Sequence, residues 1–228
     1  MRLEDVTLIC ASSVKHELSE RAIENSIRNI DFENIIYFSD KILSKEISSS
    51  VKYEKIEKFN SIDDYSKFIL YQMPSYIKTS HVLVIQWDGY VRDYRKWSND
   101  FLEYDYIGAP WYFRSNDNEF GRDDLGRWID VGNGGFSLRS KSLMEQVKNK
   151  RNSIPNWFKS KNEDGVICVA LREELVKAGM HFPNRTIAKT FSVDAGFSNL
   201  DFWRANSFGF HGKRMLQRTR FLERFNAN

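Results

Sequence analysis

The chain has 228 residues, 41% of them hydrophobic and 29% charged, with 34 Lys and Arg against 31 Asp and Glu. That length suits one domain, or one domain with an elaborated end, and can bury a sizeable core. An aromatic content of 14% excludes disorder as the main state, and a net charge of +3 gives no argument for nucleic acid as a partner.

Cys10 and Cys168 sit inside apolar runs and form neither a disulfide framework nor a thiolate metal site, which points to a reducing compartment. The opening residues Met1 to Asp5 carry acids where a signal peptide is basic and then apolar. The longest apolar stretches are about five or six residues, against the roughly 20 that cross a bilayer. The expectation is a soluble, cytoplasmic protein.

In chain order, Val6 to Cys10 is a short β-branched run followed by the small residues Ala11, Ser12 and Ser13. Leu18, Ala22, Ile23, Ile27 and Ile30 then recur at helical spacing. Asn34 to Phe38 predicts a second strand stopped by Ser39 and Asp40, and Val51 to Ile56 a third. Ser61 with Asp63 and Asp64 predicts an N-cap and an acidic first turn, opening a helix through Ile69, Leu70 and Met73. His81 to Gln86 is nearly continuous in apolar residues and predicts a strand buried on both faces. Alternating strands and helices predict a parallel α/β sheet, with ligands collecting beyond the carboxyl ends of its strands.

The second half is less regular. It holds Tyr106 to Trp111, a polar loop from Arg114 to Arg127, and the segment Ile129 to Arg139. A helix from Ser142 to about Lys148 follows, then another from Val166 to Ala178 that Gly179 ends. One domain over residues 1–212 is expected, with a basic tail over 213–228.

Asp88 is the most informative carboxylate, because it follows directly on a buried strand and precedes Gly89. A carboxylate there can hold Mg²⁺ or Mn²⁺ against a ligand phosphate, or it simply ends a strand in an Asp-Gly turn. Gly132, Gly134 and Gly135 around Asn133 concentrate glycine in a chain that has only 12. They let a ligand approach the backbone, or they make a hairpin turn through Asn133 and Gly134. Neither a P-loop nor a dinucleotide fingerprint is present. Glu163 and Asp164 suit either a helix cap or a general base at a helix start. His211, between Gly209 and Gly212, is a better candidate for chemistry than His16, His81 or His181. Trp87, Trp97, Trp111 and Trp128 cluster around these motifs, as core residues or as flat faces for a sugar or base. The tail carries Lys213, Arg214, Arg218, Arg220 and Arg224 against Glu223, with Met215, Leu216, Phe221, Leu222 and Phe225 interleaved. It suits peripheral contact with an anionic membrane surface, or a terminal helix with a solvated basic face.

The order of these motifs resembles the GT-A class of nucleotide-sugar glycosyltransferases, above all small bacterial and viral members. The resemblance runs over roughly residues 6–212. It rests on Gln86-Trp87-Asp88-Gly89-Tyr90-Val91, Asp105-Tyr106-Ile107-Gly108-Ala109-Pro110-Trp111, Val131 to Arg139, and Phe208-Gly209-Phe210-His211-Gly212. It implies a GT-A-like, Rossmann-like α/β domain with a central, mostly parallel sheet flanked by helices. It implies hexosyl transfer from a nucleotide-diphosphate sugar donor to a glycan or lipid-linked acceptor, at the inner membrane surface where the acceptor is lipid-linked.

By position, Asp88 matches the last carboxylate of the Asp-x-Asp motif and His211 the late histidine of the metal site, holding Mn²⁺ or Mg²⁺. Asp164, within the pair with Glu163, matches the catalytic base of inverting members. Ala11, Ser12, Ser13 and Asp40 would line the nucleotide pocket, and Gly134 and Gly135 would approach the donor sugar. Gln86 stands where the first Asp of the motif belongs. A base such as Arg92, Arg139 or Lys213 is then expected to help neutralise the pyrophosphate. Two other readings stay open. One is a metal-dependent phosphoryl-transfer or hydrolytic enzyme using Asp88, Asp130, Glu163 and His211. The other is a non-catalytic sugar- or nucleotide-binding module built on the tryptophans.

Overall fold

A computed structural model describes the whole chain except residues 43–46, 48, 112–125, 127, 130, 161, 195–205, 218 and 220–228. Each strand expected in the first half is found: β1 (Arg2–Ser12), β2 (Asp31–Ser39), β3 (Lys52–Lys55) and β4 (His81–Ile85). They pair in parallel in the order β3-β2-β1-β4. The sheet is completed by β7 (Phe136–Ser140), antiparallel to β4, and β6 (Tyr106–Gly108), antiparallel to β7. Only β7 therefore runs against the rest, and the expected mixed α/β architecture with a mostly parallel central sheet is the one found.

The alternation of β4 shows why its run is so apolar. Leu83 and Ile85 join one core cluster while Val82 and Val84 join another on the opposite face. Helix α1 (His16–Ile27) seals the first face with Ala22 and Ile23. Helix α2 (Ile62–Lys67) covers the second, and Ser61 caps it by accepting the Asp64 N–H at 3.1 Å. The chain then widens into a π-helical turn, Phe68–Gln72, and tightens into a 3₁₀ turn, Met73–Tyr76, that holds Pro74 in its first turn, so the expected helix arrives in three pieces.

Two further expectations are corrected by the structure. The segment Val166 to Ala178 is not one helix. It starts as a short turn α4 (Glu163–Gly165), passes through a π-helical turn over Val166–Ala170, and resumes as α5 (Arg172–Lys177). The cause is the i→i+5 bond from Leu171 N–H to the Val166 carbonyl at 3.0 Å. Gly179, at φ +89°, ends α5 as expected. The glycine cluster is not a hairpin turn either. β6 and β7 are antiparallel neighbours, but the long stretch between Gly108 and Phe136 separates them, and the glycines form the entry to β7.

A second, small sheet has no counterpart in the sequence reading. It joins β5 (Tyr90–Val91), β8 (Ser192–Val193) and β9 (Gly209–Phe210) in the order β5-β9-β8. Phe136, Phe191 and Phe208 pack beneath it with ring centroids 5.3–5.9 Å apart. Helix α3 (Lys141–Asn149) follows β7, near the predicted span, and α6 (Arg185–Phe191) leads into β8. Among the described residues no helix is long and apolar enough to cross a membrane. In the basic segment, Lys213 and Arg214 are exposed while Met215 and Leu216 belong to the core. The remaining basic residues of that segment lie outside the described residues, as do most of the Arg114 to Arg127 loop and Asp130.

Candidate functional site

In the strand order β3-β2-β1-β4, the chain moves outward from β1 to β3 and then returns to the other side of β1. The loops after β1 and β4 therefore diverge, and such a switch point opens a crevice at the strand ends. A cavity of about 270 Å³ lies there, walled by Ala11, Ser12 and Ser13 after β1 and by Gln86 and Trp87 after β4. Phe59 to Ile62 and Tyr65 close its third side. Ser13 Oγ accepts the Phe59 N–H at 2.9 Å, tying two walls together. Asp40, expected in this pocket, is not among its walls; it follows β2, with Oδ1 3.5 Å from His16 Nε2.

Beside the cavity the chain after β4 turns sharply, with the Gly89 N–H donating to the Gln86 carbonyl at 3.0 Å. The turn carries Asp88, which is buried, against the residue that follows β9. His211 Nε2 stands 3.3 Å from Asp88 Oδ1 and 3.2 Å from Gln86 Oε1. On the other side of the ring, Nδ1 lies 3.8 Å from Asp194 Oδ1. Asp194 is itself held by the Asn133 side-chain amide, which donates to Oδ2 at 2.6 Å. Burial disfavours the imidazolium, but the Asp88 carboxylate, with Asp194 and Asp164 further out, outweighs it and raises the His211 pKa.

The backbone fixes these groups tightly. The Gly212 N–H donates to the Asp88 carbonyl at 3.0 Å, and the Gln86 N–H to the Gly135 carbonyl at 3.0 Å. A Cβ on Gly89 would sit 2.7 Å from the Phe210 carbonyl oxygen, and one on Gly135 would strike the His211 imidazole. The glycines thus serve close packing of three loops.

Across Gly134 stands the acidic pair, and its two members have different environments. Glu163 is buried and receives Arg139 Nη2 on Oε1 at 2.9 Å. Arg139 is also buried, donates through Nε to Ser137 Oγ at 3.0 Å, and lies 5.3 Å from the Tyr106 ring centre. It is a cation beneath the glycine loop and does not face the cavity. Asp164 is only partly buried. Its Oδ2 accepts the Gly134 N–H at 3.1 Å and its Oδ1 the Gly165 N–H at 2.8 Å. Burial and the neighbouring Glu163 carboxylate push its pKa up to about 7, in spite of those two donors and Arg139. A carboxyl group near neutrality at a loop edge is suited to proton transfer.

Of the other cations expected at the pyrophosphate, Arg92 lines a separate cavity near the end of α1. Lys213, exposed, holds its Nζ 5.6 Å from the Trp87 ring centre at the cavity rim. Asp194 and Tyr65 were not anticipated. Asp194 is a single carboxylate in an unremarkable segment, and Tyr65 reads as an ordinary core residue of an amphipathic helix.

Among the described residues no group of three His, Cys, Asp or Glu side chains is arranged to hold a metal ion. Asp88 and His211 nonetheless fit a divalent ion as a pair. Asp88 Oδ1 is buried without a hydrogen-bond partner. Its 3.3 Å separation from Nε2 is close to the ~3 Å between adjacent ligands of an octahedral ion with bonds of ~2.1 Å. A carboxylate behind the other ring nitrogen, as Asp194 is, is the usual orienting partner of a ligating histidine.

The chain belongs to the family described as protein of unknown function DUF5672, whose model matches residues 48–211. No curated protein matches its sequence. Among solved structures it is similar to the galactosyltransferase LgtC in complex with donor and acceptor sugar analogues. The TM-score is 0.53 at 13% identity, over 90% of this chain and 86% of that one. It is likewise similar to an active-site mutant of LgtC, with a TM-score of 0.54 and 14% identity over 95% of each chain. At these identities the likeness establishes the fold, which is GT-A-like.

Proposed function

We propose that the chain is a GT-A-type glycosyltransferase that moves a hexosyl group from a nucleoside-diphosphate sugar to a glycan or lipid-linked acceptor, with inversion. The observation that carries this reading is the convergence of three parts at one end of the sheet, beyond the carboxyl ends of β1 and β4. These are the switch-point cavity, the Asp88–His211 pair beside it, and Asp164 across the glycine loop. Ala11 to Ser13 and Trp87 seat the nucleoside, and Gly134 and Gly135 border the sugar.

The acceptor oxygen attacks the anomeric carbon, its bond forms as the bond to the diphosphate oxygen breaks, and the acceptor proton passes to Asp164 Oδ. Asp88 and His211 would hold Mn²⁺ or Mg²⁺, which supplies charge neutralisation for the departing diphosphate. Lys213 adds a positive charge at the rim. Glu163 and Arg139 neutralise each other and support the glycine loop, which leaves proton transfer to Asp164. That commitment of Glu163 also removes one carboxylate from the hydrolytic alternative.

Calorimetric titration with UDP, GDP and dTDP, each with Mn²⁺ and with EDTA, tests the donor site. One diphosphate is expected to bind with Mn²⁺, and at least tenfold more weakly with EDTA or in Asp88→Ala and His211→Ala. Absence of binding by all three in every condition would sink the donor reading. NMR of the first-formed product then reports the anomeric configuration, and retention would remove the base role from Asp164.

A further inference from the structure

Asn133 is the polar residue of the glycine loop, and the transfer reaction assigns it nothing to do. It is buried, and both ends of its amide are taken up by the protein. Oδ1 accepts the Gly135 N–H at 3.1 Å, and Nδ2 donates to Asp194 Oδ2 at 2.6 Å. These two partners bear on His211 from different directions. Gly135 packs so closely on the imidazole that a Cβ there would strike it, and Asp194 Oδ1 stands 3.8 Å from Nδ1. One amide therefore holds two of the surfaces between which the ring sits.

The topology explains how a residue before β7 reaches a carboxylate after β8. β8 and β9 are parallel, and the His211 N–H donates to the Val193 carbonyl at 2.9 Å, so Asp194 and His211 leave their strands side by side. Asn133 is fixed from the main sheet instead, its N–H donating to the carbonyl of Ala109, just beyond β6, at 3.2 Å. The amide is thus a strap between the two sheets, fastened directly behind the histidine. Its grip on Oδ2 leaves Oδ1 as the oxygen presented to the ring. A histidine that ligates a metal through Nε2 carries its proton on Nδ1 and is oriented by an acceptor there. Nδ1 is buried without a hydrogen-bond partner, and Asp194 is the carboxylate on that side.

We infer that Asn133 is a positioning residue of the donor site: by gripping Asp194 and the Gly135 N–H together, it holds the His211 imidazole with Nε2 toward Asp88. The inference rests on the glycosyltransferase reading above and adds to it the side chain that keeps the metal-binding histidine in place.

Asn133→Ala, Asp194→Ala and the double variant, compared with the wild type, test the strap. The readouts are Mn²⁺ affinity in the presence of the preferred one of UDP, GDP and dTDP, the spin-echo modulation of bound Mn²⁺ by a ligating ¹⁴N, and thermal unfolding in EDTA. Asp194→Ala should weaken Mn²⁺ binding about tenfold, and Asn133→Ala at least as much, with the ¹⁴N modulation reduced in both. The double variant should match Asn133→Ala within about twofold, because Asp194 has already lost its grip there. Diphosphate affinity in EDTA should stay within about twofold throughout. The side chain of Asp194 is 24% exposed, so its truncation opens no buried hole, and unchanged Mn²⁺ affinity in Asp194→Ala overturns the inference even if Asn133→Ala does not fold. A lower unfolding temperature for Asn133→Ala with unaltered Mn²⁺ affinity and ¹⁴N modulation overturns it too, leaving Asn133 a purely structural role. So does a double variant that loses the product of the two single losses, since Asn133 would then act by a route other than Asp194. A wild type that binds a diphosphate without Mn²⁺ dependence overturns the inference and spares the transferase reading, whereas one that binds no diphosphate at all removes both.

Discussion

Asp164 and Glu163 are neighbours with opposite fates, and the difference is one of partners. Glu163 has a buried arginine, so its charge is balanced. Asp164 has two backbone N–H groups and an adjacent carboxylate, and its pKa rises to about 7. A base with that pKa is inactive when protonated, so kcat/KM should climb as pH rises through about 7 and then level off. Asp164→Asn should cost roughly 10²–10⁴ in turnover and abolish that limb. Stability moves the opposite way. The folded pKa lies above the unfolded value near 3.9, so the ionised form is disfavoured in the fold, and stability from this group falls between about pH 4 and 7. Asp164→Asn should therefore unfold at a higher temperature than the wild type at pH 8 and lose that advantage near pH 4. Wild-type turnover in the variant, or a pH profile flat through 7 in the wild type, would refute the assignment.

At the level of elements, the site is made where three short loops abut: after β4, before β7 and after β9. Gly135 is the contact between two of them, because a Cβ there would strike the His211 ring. A side chain can swing aside where backbone cannot, so Gly135→Ala should fold yet displace the imidazole from Asp88. The expected outcome is a 10–100-fold loss of Mn²⁺-dependent diphosphate affinity with a modest drop in melting temperature. Unaltered Mn²⁺ dependence would show that the ring position does not matter.

The same scale shows what could be read from residue order. Strands β1, β2 and β4 were legible because their apolar runs are buried, and Asp88 because it ends one of them. The small sheet was not, since β5, β8 and β9 have two residues each and no period can emerge from two. Arg139 is expected at the pyrophosphate because Gln86 stands where the first carboxylate of the motif belongs. Its burial comes from Glu163, a long-range partner that no local pattern reveals. The helix expected over Val166 to Ala178 opens on the continuous apolar run Val166 to Leu171, and nothing in that run marks a π-helical turn.

For the molecule as a whole, the parallel strands explain why so few residues of the site are near one another in sequence. β1 and β4 are neighbours in space with β2, β3 and α2 between them in the chain, so the crevice draws on residues from Ala11 to Trp87. β7 runs the other way, which brings its entry loop, not its exit, to the ends of β1 and β4. β9 then lays His211 over both. A ligand spanning the cavity and the Asp88–His211 pair would touch the segments after β1, after β4 and before β7 at once. Binding to the folded state alone adds about 2.7 kcal/mol at a hundred times Kd, and in a chain of this size that raises the melting temperature by about 5–10 °C. The preferred diphosphate with Mn²⁺ should produce this shift in thermal unfolding, and hydrogen exchange should slow together in residues 11–13, 86–89 and 132–135. Protection confined to one of the three loops would mean that the ligand does not bridge them, and the assembled site would have to be divided.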